Sequence, residues 1–287
     1  MKQIAVISGK GGTGKSTLVS SLSQLIGSKM IADCDVDAPN LHLLLKEKDQ
    51  QKWDYSGAKE ARINYDLCIK CGICRDTCRF GAISEDIVVS SLKCEGCNAC
   101  VVACPQDAIH LEDVKTGWTS VSKTERGTFA HALLDIGAEG SGKLVTEVRK
   151  QIIPFENGED WLIIDGSPGI GCSVIASITG TDAVIAVTEP TKSGLSDLKR
   201  VLDLSRHFDI PAFVCINKYD LNMDITREME DYCIENGFDV VGRIPFDPAI
   251  VKALQEYKTP VDAGNQDFID EVKSLWEKVT NKLINKE

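Results

Sequence analysis

The chain has 287 residues, 43% hydrophobic and 26% charged, which suits one large globular domain plus a smaller one. Its 32 basic and 43 acidic residues leave a formal charge of −11, which argues against non-specific binding to nucleic acid or anionic lipid, since that needs a basic surface. No apolar run reaches the ~18 residues of a membrane span. The glycine-rich segment from Ser8 leaves no room for a signal peptide, so a soluble, cytoplasmic protein is expected.

Ile4-Ala5-Val6-Ile7 reads as a strand, Ser8–Gly14 as a loop, and a helix-compatible stretch starts near Lys15. Further strands are expected at Lys29–Ala32, Trp161–Ile164, Ala183–Val187, Ala212–Ile216 and Val240–Ile244, with helices such as Ser193–Phe208 and Ile225–Asn236 between the later ones. Apolar strands alternating with helices predict an α/β fold, a mainly parallel sheet covered on both faces. A cysteine-rich block interrupts the alternation at 61–111, and the polar residues 113–128 look like the linker back. The domain division expected is therefore 1–60 with 112–287, and an inserted 61–111.

Gly9-Lys10-Gly11-Gly12-Thr13-Gly14-Lys15-Ser16-Thr17 contains G-x-x-x-x-G-K-S between a strand and a helix, the context a phosphate-binding loop needs. Its backbone N–H groups and the helix N-terminus suit a nucleotide's phosphates. Lys15 would neutralise the β- and γ-phosphates, and the Ser16 hydroxyl would coordinate Mg²⁺. Lys10 is a second lysine that an ordinary phosphate loop does not require.

GKGGTGKST with Lys10 resembles the deviant Walker-A ATPases of the MinD/ParA type, a group that includes the nitrogenase iron protein and Mrp-like carriers. The resemblance implies an ATP-sandwiched homodimer in which Lys10 crosses to the partner's nucleotide. It extends through Asp33-Cys34-Asp35, where Asp35 would orient the attacking water and Asp33 would support the Mg²⁺ site. Asp37 reads as a loop or capping residue. Trp161–Asp165 followed by Gly166-Ser167-Pro168-Gly169 resembles Walker B with switch II, making Asp165 the Mg²⁺ partner beyond Ser16. Asn217-Lys218-Tyr219-Asp220 resembles an N-K-x-D base-recognition segment. The resemblance implies that Asn217 contacts adenine and that the loop around Pro245 closes over it, although N-K-x-D by itself also suits guanine.

Eight of the twelve cysteines form two runs, Cys68-x₂-Cys71-x₂-Cys74-x₃-Cys78 and Cys94-x₂-Cys97-x₂-Cys100-x₃-Cys104-Pro105. This is the bacterial ferredoxin spacing, in which the fourth cysteine of each run ligates the other cluster. One [4Fe–4S] cluster is expected on Cys68, Cys71, Cys74 and Cys104, and a second on Cys94, Cys97, Cys100 and Cys78. Arg79 stands where the first run would carry proline. Two zinc sites are the competing assignment, but zinc motifs pair C-x₂-C units instead of three-plus-one runs.

Together the two parts resemble MinD-type ATPases carrying an inserted α+β bacterial-ferredoxin-like domain. The resemblance implies an ATPase whose nucleotide state is coupled to two clusters. Its output would be electron transfer to a partner or assembly of an iron–sulfur or other metal cofactor on an acceptor protein. A second class is a MinD-like spatial or regulatory ATPase whose clusters sense redox state. An amidoligase on the same fold is the last expectation, since these 287 residues leave no room for an appended glutaminase domain.

Among the remaining residues, Cys172 after switch II is either a redox or metal-handling thiol or a small packing residue. Cys34, Cys215 and Cys233 read as core. His42, His110, His131 and His207 show no spacing that suggests a metal site or catalytic pair. Gly140–Val145 resembles a segment of the same ATPases without an assigned role. Phe268, Ile269, Val272, Leu275, Trp276 and Val279 line one face of a terminal helix whose acidic residues favour packing on the domain over membrane binding.

Overall fold

The structure is a computed structural model that describes residues 1–138 and 140–284. Its strands are β1 (Lys2–Ser8), β2 (Lys29–Cys34), β3 (Glu47–Tyr55), β4 (Ala58–Ile63), β5 (Ile109–Val114), β6 (Gly117–Thr124), β7 (Gly127–Leu134), β8 (Trp161–Pro168), β9 (Ala183–Thr188), β10 (Ala212–Asn217) and β11 (Asp239–Ile244). The helices are α1 (Lys15–Leu25), α2 (Leu41–Leu44), α3 (Ile73–Thr77), α4 (Ala99–Ala103), α5 (Gly142–Ile152), α6 (Cys172–Ile178), α7 (Lys192–His207), α8 (Met223–Glu235), α9 (Pro248–Gln255) and α10 (Gln266–Ile284). The chain forms two compact units, Met1–Trp53 with Thr119–Leu134 and Glu139–Glu287, and Asp54–Trp118 with Asp135–Ala138.

The larger unit is built on a sheet of order β11-β10-β9-β1-β8-β2-β7-β6-β3. The pairs from β11 through β7 are parallel, as expected for apolar strands separated by helices. Side chains alternate across the sheet. Ile4, Val6, Ile31, Ile163 and Ile185 join the core beneath α1 and α10. The intervening residues, Ala5, Ile7, Leu162 and Ile164, are also fully buried, and α5, α6 and α7 pack against β2, β8, β1 and β9. Phe268, Val272, Leu275, Val279 and Leu283 of α10 lie in this core, each burial contributing about 1.5–3 kcal/mol. The apolar face of the terminal helix is thus consumed by packing, and no helix among the described residues is long and apolar enough to cross a membrane.

The polar stretch 113–128 is not a linker. It contains β6, in which Thr119, Ser120, Val121 and Ser122 are buried. Small hydroxyl side chains can be buried in a sheet, but they leave no apolar period for a sequence pattern to detect. Strand β3, Glu-Lys-Asp-Gln-Gln-Lys-Trp-Asp-Tyr, escapes detection for the opposite reason. It is the outermost strand, largely exposed and charged, a composition that discourages edge-to-edge pairing.

In the smaller unit β4 and β5 pair antiparallel from Ala58↔Val114 to Ile63↔Ile109. They share a core with the short helices α3 and α4, formed by Ala61, Cys74, Ile83, Ile87, Cys100 and Ile109.

Candidate functional site

The loop from Gly9 to Gly14 joins β1 to α1 at the carboxyl edge of the parallel sheet, where such folds bind ligands. Gly14 adopts φ 100, and a side chain there would collide with the Asn217 amide. Asn217 Nδ2 donates to the Thr13 carbonyl at 2.8 Å, so it holds the loop from β10. Lys15 is buried, with Nζ 3.9 Å from Asp35 Oδ2. A cavity of about 490 Å³ is lined by Gly11, Gly12, Lys15, Ser16, Asp35 and Pro168 among others. Beside it, Asn217, Lys218, Pro245 and Phe246 line a second cavity of about 180 Å³ with the apolar side chains of Leu18, Val187 and Leu254.

Carboxylates crowd this edge. Asp33 and Asp165 are register partners on β2 and β8, and both are fully buried. Asp33 accepts from the Asp35 and Leu41 N–H groups, each at 3.1 Å, and so shapes the loop that carries Asp35. Burial and then the Asp165 charge push Asp33 well above the usual carboxylate range. Burial pushes Asp165 up to about 7, against the pull of the Lys15 charge. Asp35 is raised by burial despite Lys15. Among the described residues, neither Asp165 oxygen, nor Asp35 Oδ1, nor Thr13 Oγ1 has a hydrogen-bond partner. Buried acceptors left bare beside a phosphate-binding loop are chemically suited to a hydrated divalent cation and the oxygens it carries.

The loop is wired to its neighbours. The Gly169 N–H donates to the Ser8 carbonyl at 2.8 Å, and the buried Ser167 hydroxyl donates to the Cys34 carbonyl at 2.7 Å. The end of β8 is therefore tied to both the phosphate loop and the strand leading to Asp35. Lys10 is not free: its Nζ lies 2.7 Å from Glu189 Oε1 and donates to Thr191 and Ser193 at 3.3 Å. Glu189 Oε2 also holds Lys218 at 3.2 Å, and Lys218 reaches the Gly12 carbonyl at 3.4 Å. Asp220 accepts from the Phe246 N–H at 2.7 Å, joining the β10 and β11 loops. Asp37 accepts from the Gly140 N–H at 3.1 Å.

In the smaller unit the cysteines fall into two sets. Cys68, Cys71, Cys74 and Cys104 line one cavity; Cys78, Cys94, Cys97 and Cys100 line another. Within each set one thiol is buried, Cys74 or Cys100, and one is exposed, Cys71 or Cys97. Burial raises the Cys74 and Cys100 thiols, so binding a group that requires thiolates would release protons there. Backbone N–H groups of Ala82, Ala108 and Ala61 point at Cys78, Cys104 and Cys94 Sγ from 3.4, 3.3 and 3.4 Å. Such donors stabilise charge on sulfur, which fits a thiolate-bound cluster. Among the described residues no three His, Cys, Asp or Glu side chains form a single-ion site.

The family model for the CobQ/CobB/MinD/ParA nucleotide binding domain matches residues 4–261. The chain belongs to this family. Over 284 residues it is 32% identical to an uncharacterized protein of Methanocaldococcus jannaschii, covering 96% of each. It is 26% identical over 307 residues to the iron-sulfur cluster carrier protein of the same organism, covering 98% of this chain and 86% of that one. A 55-residue stretch is 46% identical to the polyferredoxin protein MvhB of Methanothermus fervidus, 18% of this chain and 13% of that one. The cell division ATPase MinD of Pyrococcus furiosus shares the fold, with a TM-score of 0.59, 18% identity and 98% of each chain covered.

Members of the MinD/ParA family are P-loop ATPases, and the carboxyl edge of this sheet carries a glycine-rich loop with Asp33, Asp35 and Asp165 beside it. Sequence reasoning missed Glu189, although its place just beyond β9 at the same edge was a signal available from the strand pattern. It also missed the stack of His42 on His131, ring centroids 5.3 Å apart, with His131 Nε2 3.0 Å from Glu47 Oε1. No sequence spacing signals a contact between residues that meet only when β7 is laid beside β2. Cys34, Cys215 and Cys233 are buried as expected, and Cys172 is exposed at the start of α6.

Proposed function

We propose that this MinD/ParA-family chain is an ATP-switched iron–sulfur protein that delivers electrons to a partner. The observation that carries the reading is the division of eight cysteines into two crossed three-plus-one sets on a chain that also bears a phosphate loop. Cys68, Cys71, Cys74 and Cys104 would hold one [4Fe–4S] cluster, and Cys94, Cys97, Cys100 and Cys78 the other. When bound, such clusters supply one-electron chemistry at a potential set by their surroundings.

The remaining chemistry belongs to the nucleotide site. The Gly9–Thr17 backbone and Lys15 would bind the phosphates of ATP, while Ser16 would hold Mg²⁺ with the Asp165 carboxylate behind it. Asp35 orients the attacking water, and Asp33 keeps the Asp35 loop in place. Asn217 and Pro245 border the cavity that takes adenine. Lys10, once released from Glu189, reaches the nucleotide of a second copy, so ATP joins two protomers and hydrolysis parts them. Ser167 and Gly169 report the γ-phosphate state through their bonds to Cys34 and Ser8.

A second reading, cluster delivery to an apo-protein acceptor, draws on the relative named as an iron–sulfur cluster carrier. Resident clusters closed by cysteines from both halves of the repeat favour electron transfer. An anaerobic redox titration followed by electron paramagnetic resonance, with Mg-ATP, Mg-ADP or neither, tests the coupling. A nucleotide-dependent shift in potential or line shape is expected. Signals indifferent to nucleotide, with iron passing to an apo-acceptor, would establish the carrier instead.

A further inference from the structure

The two cysteine runs repeat at an offset of 26 residues, Cys68 to Cys94. The backbone follows the repeat closely. Positive φ recurs at Lys70 and Gly96, at Gly72 and Asn98, and at Gly81 and Asp107. The Cys68 N–H donates to the Asn64 carbonyl as the Cys94 N–H does to Ser90, and Ala82 and Ala108 donate alike to Cys78 and Cys104. Both sets have one exposed thiol, one buried thiol and an apolar wall, Ile69, Ile87 and Ile109 in one and Ile83, Val89 and Leu111 in the other.

Among the hydrogen bonds to cysteine sulfur, one breaks the symmetry. The Ala61 N–H donates to Cys94 Sγ at 3.4 Å. Its counterpart under the repeat is Ile87, which lines the other cavity but adopts φ 59 and donates to the Ser84 carbonyl at 3.0 Å. The cause is secondary structure. Ala61 belongs to β4, which among the described residues pairs with β5 alone and presents its other edge to the second cysteine loop. That contact is close enough that any side chain at Gly96 would collide with the Lys59 carbonyl. Ile87 lies instead in the turn between Ile83 and Val89, the two residues of a single antiparallel bridge.

We infer that Ala61 makes the two cluster sites electronically unequal, so that the site of Cys78, Cys94, Cys97 and Cys100 takes the first electron. The inference rests on the reading that both sets hold [4Fe–4S] clusters. Reduction adds one negative charge that spreads onto the thiolate sulfurs, and an N–H dipole aimed at one of them stabilises that charge and raises the potential. The nearby buried carboxylate of Glu60 would act in the opposite sense if bare. It is answered by Arg62 at 3.2 Å and by the Ser91 hydroxyl at 2.7 Å. In the test, one electron passes from dithionite to one cluster, which goes from the 2+ to the 1+ state with no bond made or broken.

The experiment is a dithionite-poised titration of the full chain, with iron counted and each reduced signal assigned through Cys71→Ser and Cys97→Ser. The first signal to appear should be altered by Cys97→Ser and unchanged by Cys71→Ser. It should move to lower potential in Ala61→Pro, which deletes the N–H on a strand edge, and stay in place in Ala61→Val, which keeps it. A first signal that belongs to the Cys71 site, or two clusters reduced together, overturns the inference, as does an Ala61→Pro protein with unchanged order and potentials. If Ala61→Pro does not load, the serine assignments and a deuterium-exchangeable proton coupling on the first signal decide. An iron count below two clusters' worth in the unaltered chain overturns the cluster reading itself, which separates the two failures.

Discussion

The Lys10 ammonium rests 2.7 Å from the Glu189 carboxylate of its own chain, and the same carboxylate holds Lys218 through its second oxygen. If Lys10 serves the nucleotide of a second copy, as proposed, Glu189 is the tether that must first let go. The pair is partly exposed, so it is worth up to about 1 kcal/mol, or roughly fivefold in an association constant. Glu189→Gln should lower by about that factor the concentration at which the chain dimerises with a non-hydrolysable Mg-ATP analogue, read by sedimentation velocity. Lys10→Ala should abolish the dimer. Weaker association of Glu189→Gln would refute the tether.

Asp165 carries a pH signature. Its carboxyl ionises near 7 in the folded chain, against ~3.9 for an unfolded aspartate. Between those values the folded state binds more protons, so this group's contribution to stability falls as pH rises. Asp165→Asn should melt higher than the unaltered apo-protein at pH ~7.5, by ~2–4 °C for each kcal/mol relieved, and the gap should narrow toward pH ~4.5. The same variant should bind Mg-ATP at least ~10-fold more weakly, a loss of about 1.4 kcal/mol. Equal melting temperatures at both pH values would show that the buried charge costs nothing.

The Gly14–Asn217 contact tests how the phosphate loop is held. Gly14→Ala adds a side chain against the Asn217 amide at a positive φ, and should abolish nucleotide binding measured by calorimetry. Asn217→Ala removes the bond to the Thr13 carbonyl and the one that Asn217 Oδ1 accepts from the Lys218 N–H at 3.0 Å, and should weaken binding about 5–30-fold, at about 1 kcal/mol for each hydrogen bond lost. Similar losses in both variants would mean that Asn217 matters for more than loop position.

The crossing of the cysteine sets predicts a non-additive pattern in iron content. Cys74→Ala and Cys104→Ala should each remove about half of the iron, and the double variant no more than either. Cys74→Ala combined with Cys78→Ala should remove both halves. Iron and acid-labile sulfide analysis reads the result. Additive losses within one set would show that the two cavities do not correspond to two sites.

The phosphate loop and the eight cysteine positions were legible because each is a short run whose spacing carries its own chemistry, whereas Asp33, Asp35 and Asp165 stood out only through their resemblance to segments of the MinD/ParA ATPases. The strands that frame them announce themselves as apolar runs such as Leu162-Ile163-Ile164. Strand β6 was not legible, since Thr119, Ser120 and Ser122 are buried with no apolar alternation to mark them. Strand β3 was hidden by the charges that suit it to the sheet edge.

By itself, then, the sequence determined which backbone could cradle a phosphate and which thiols share a spacing, because those properties arise within a few residues of chain. Only the tertiary structure decided that Glu189 meets both Lys10 and Lys218, that His131 stacks on His42, and that Ala61 rather than Ile87 faces a cysteine sulfur. Those relations depend on strand order and on which edge of β4 is left unpaired. Hydrogen bonds and ion pairs act over a few ångströms in space and have no counterpart in distance along the chain.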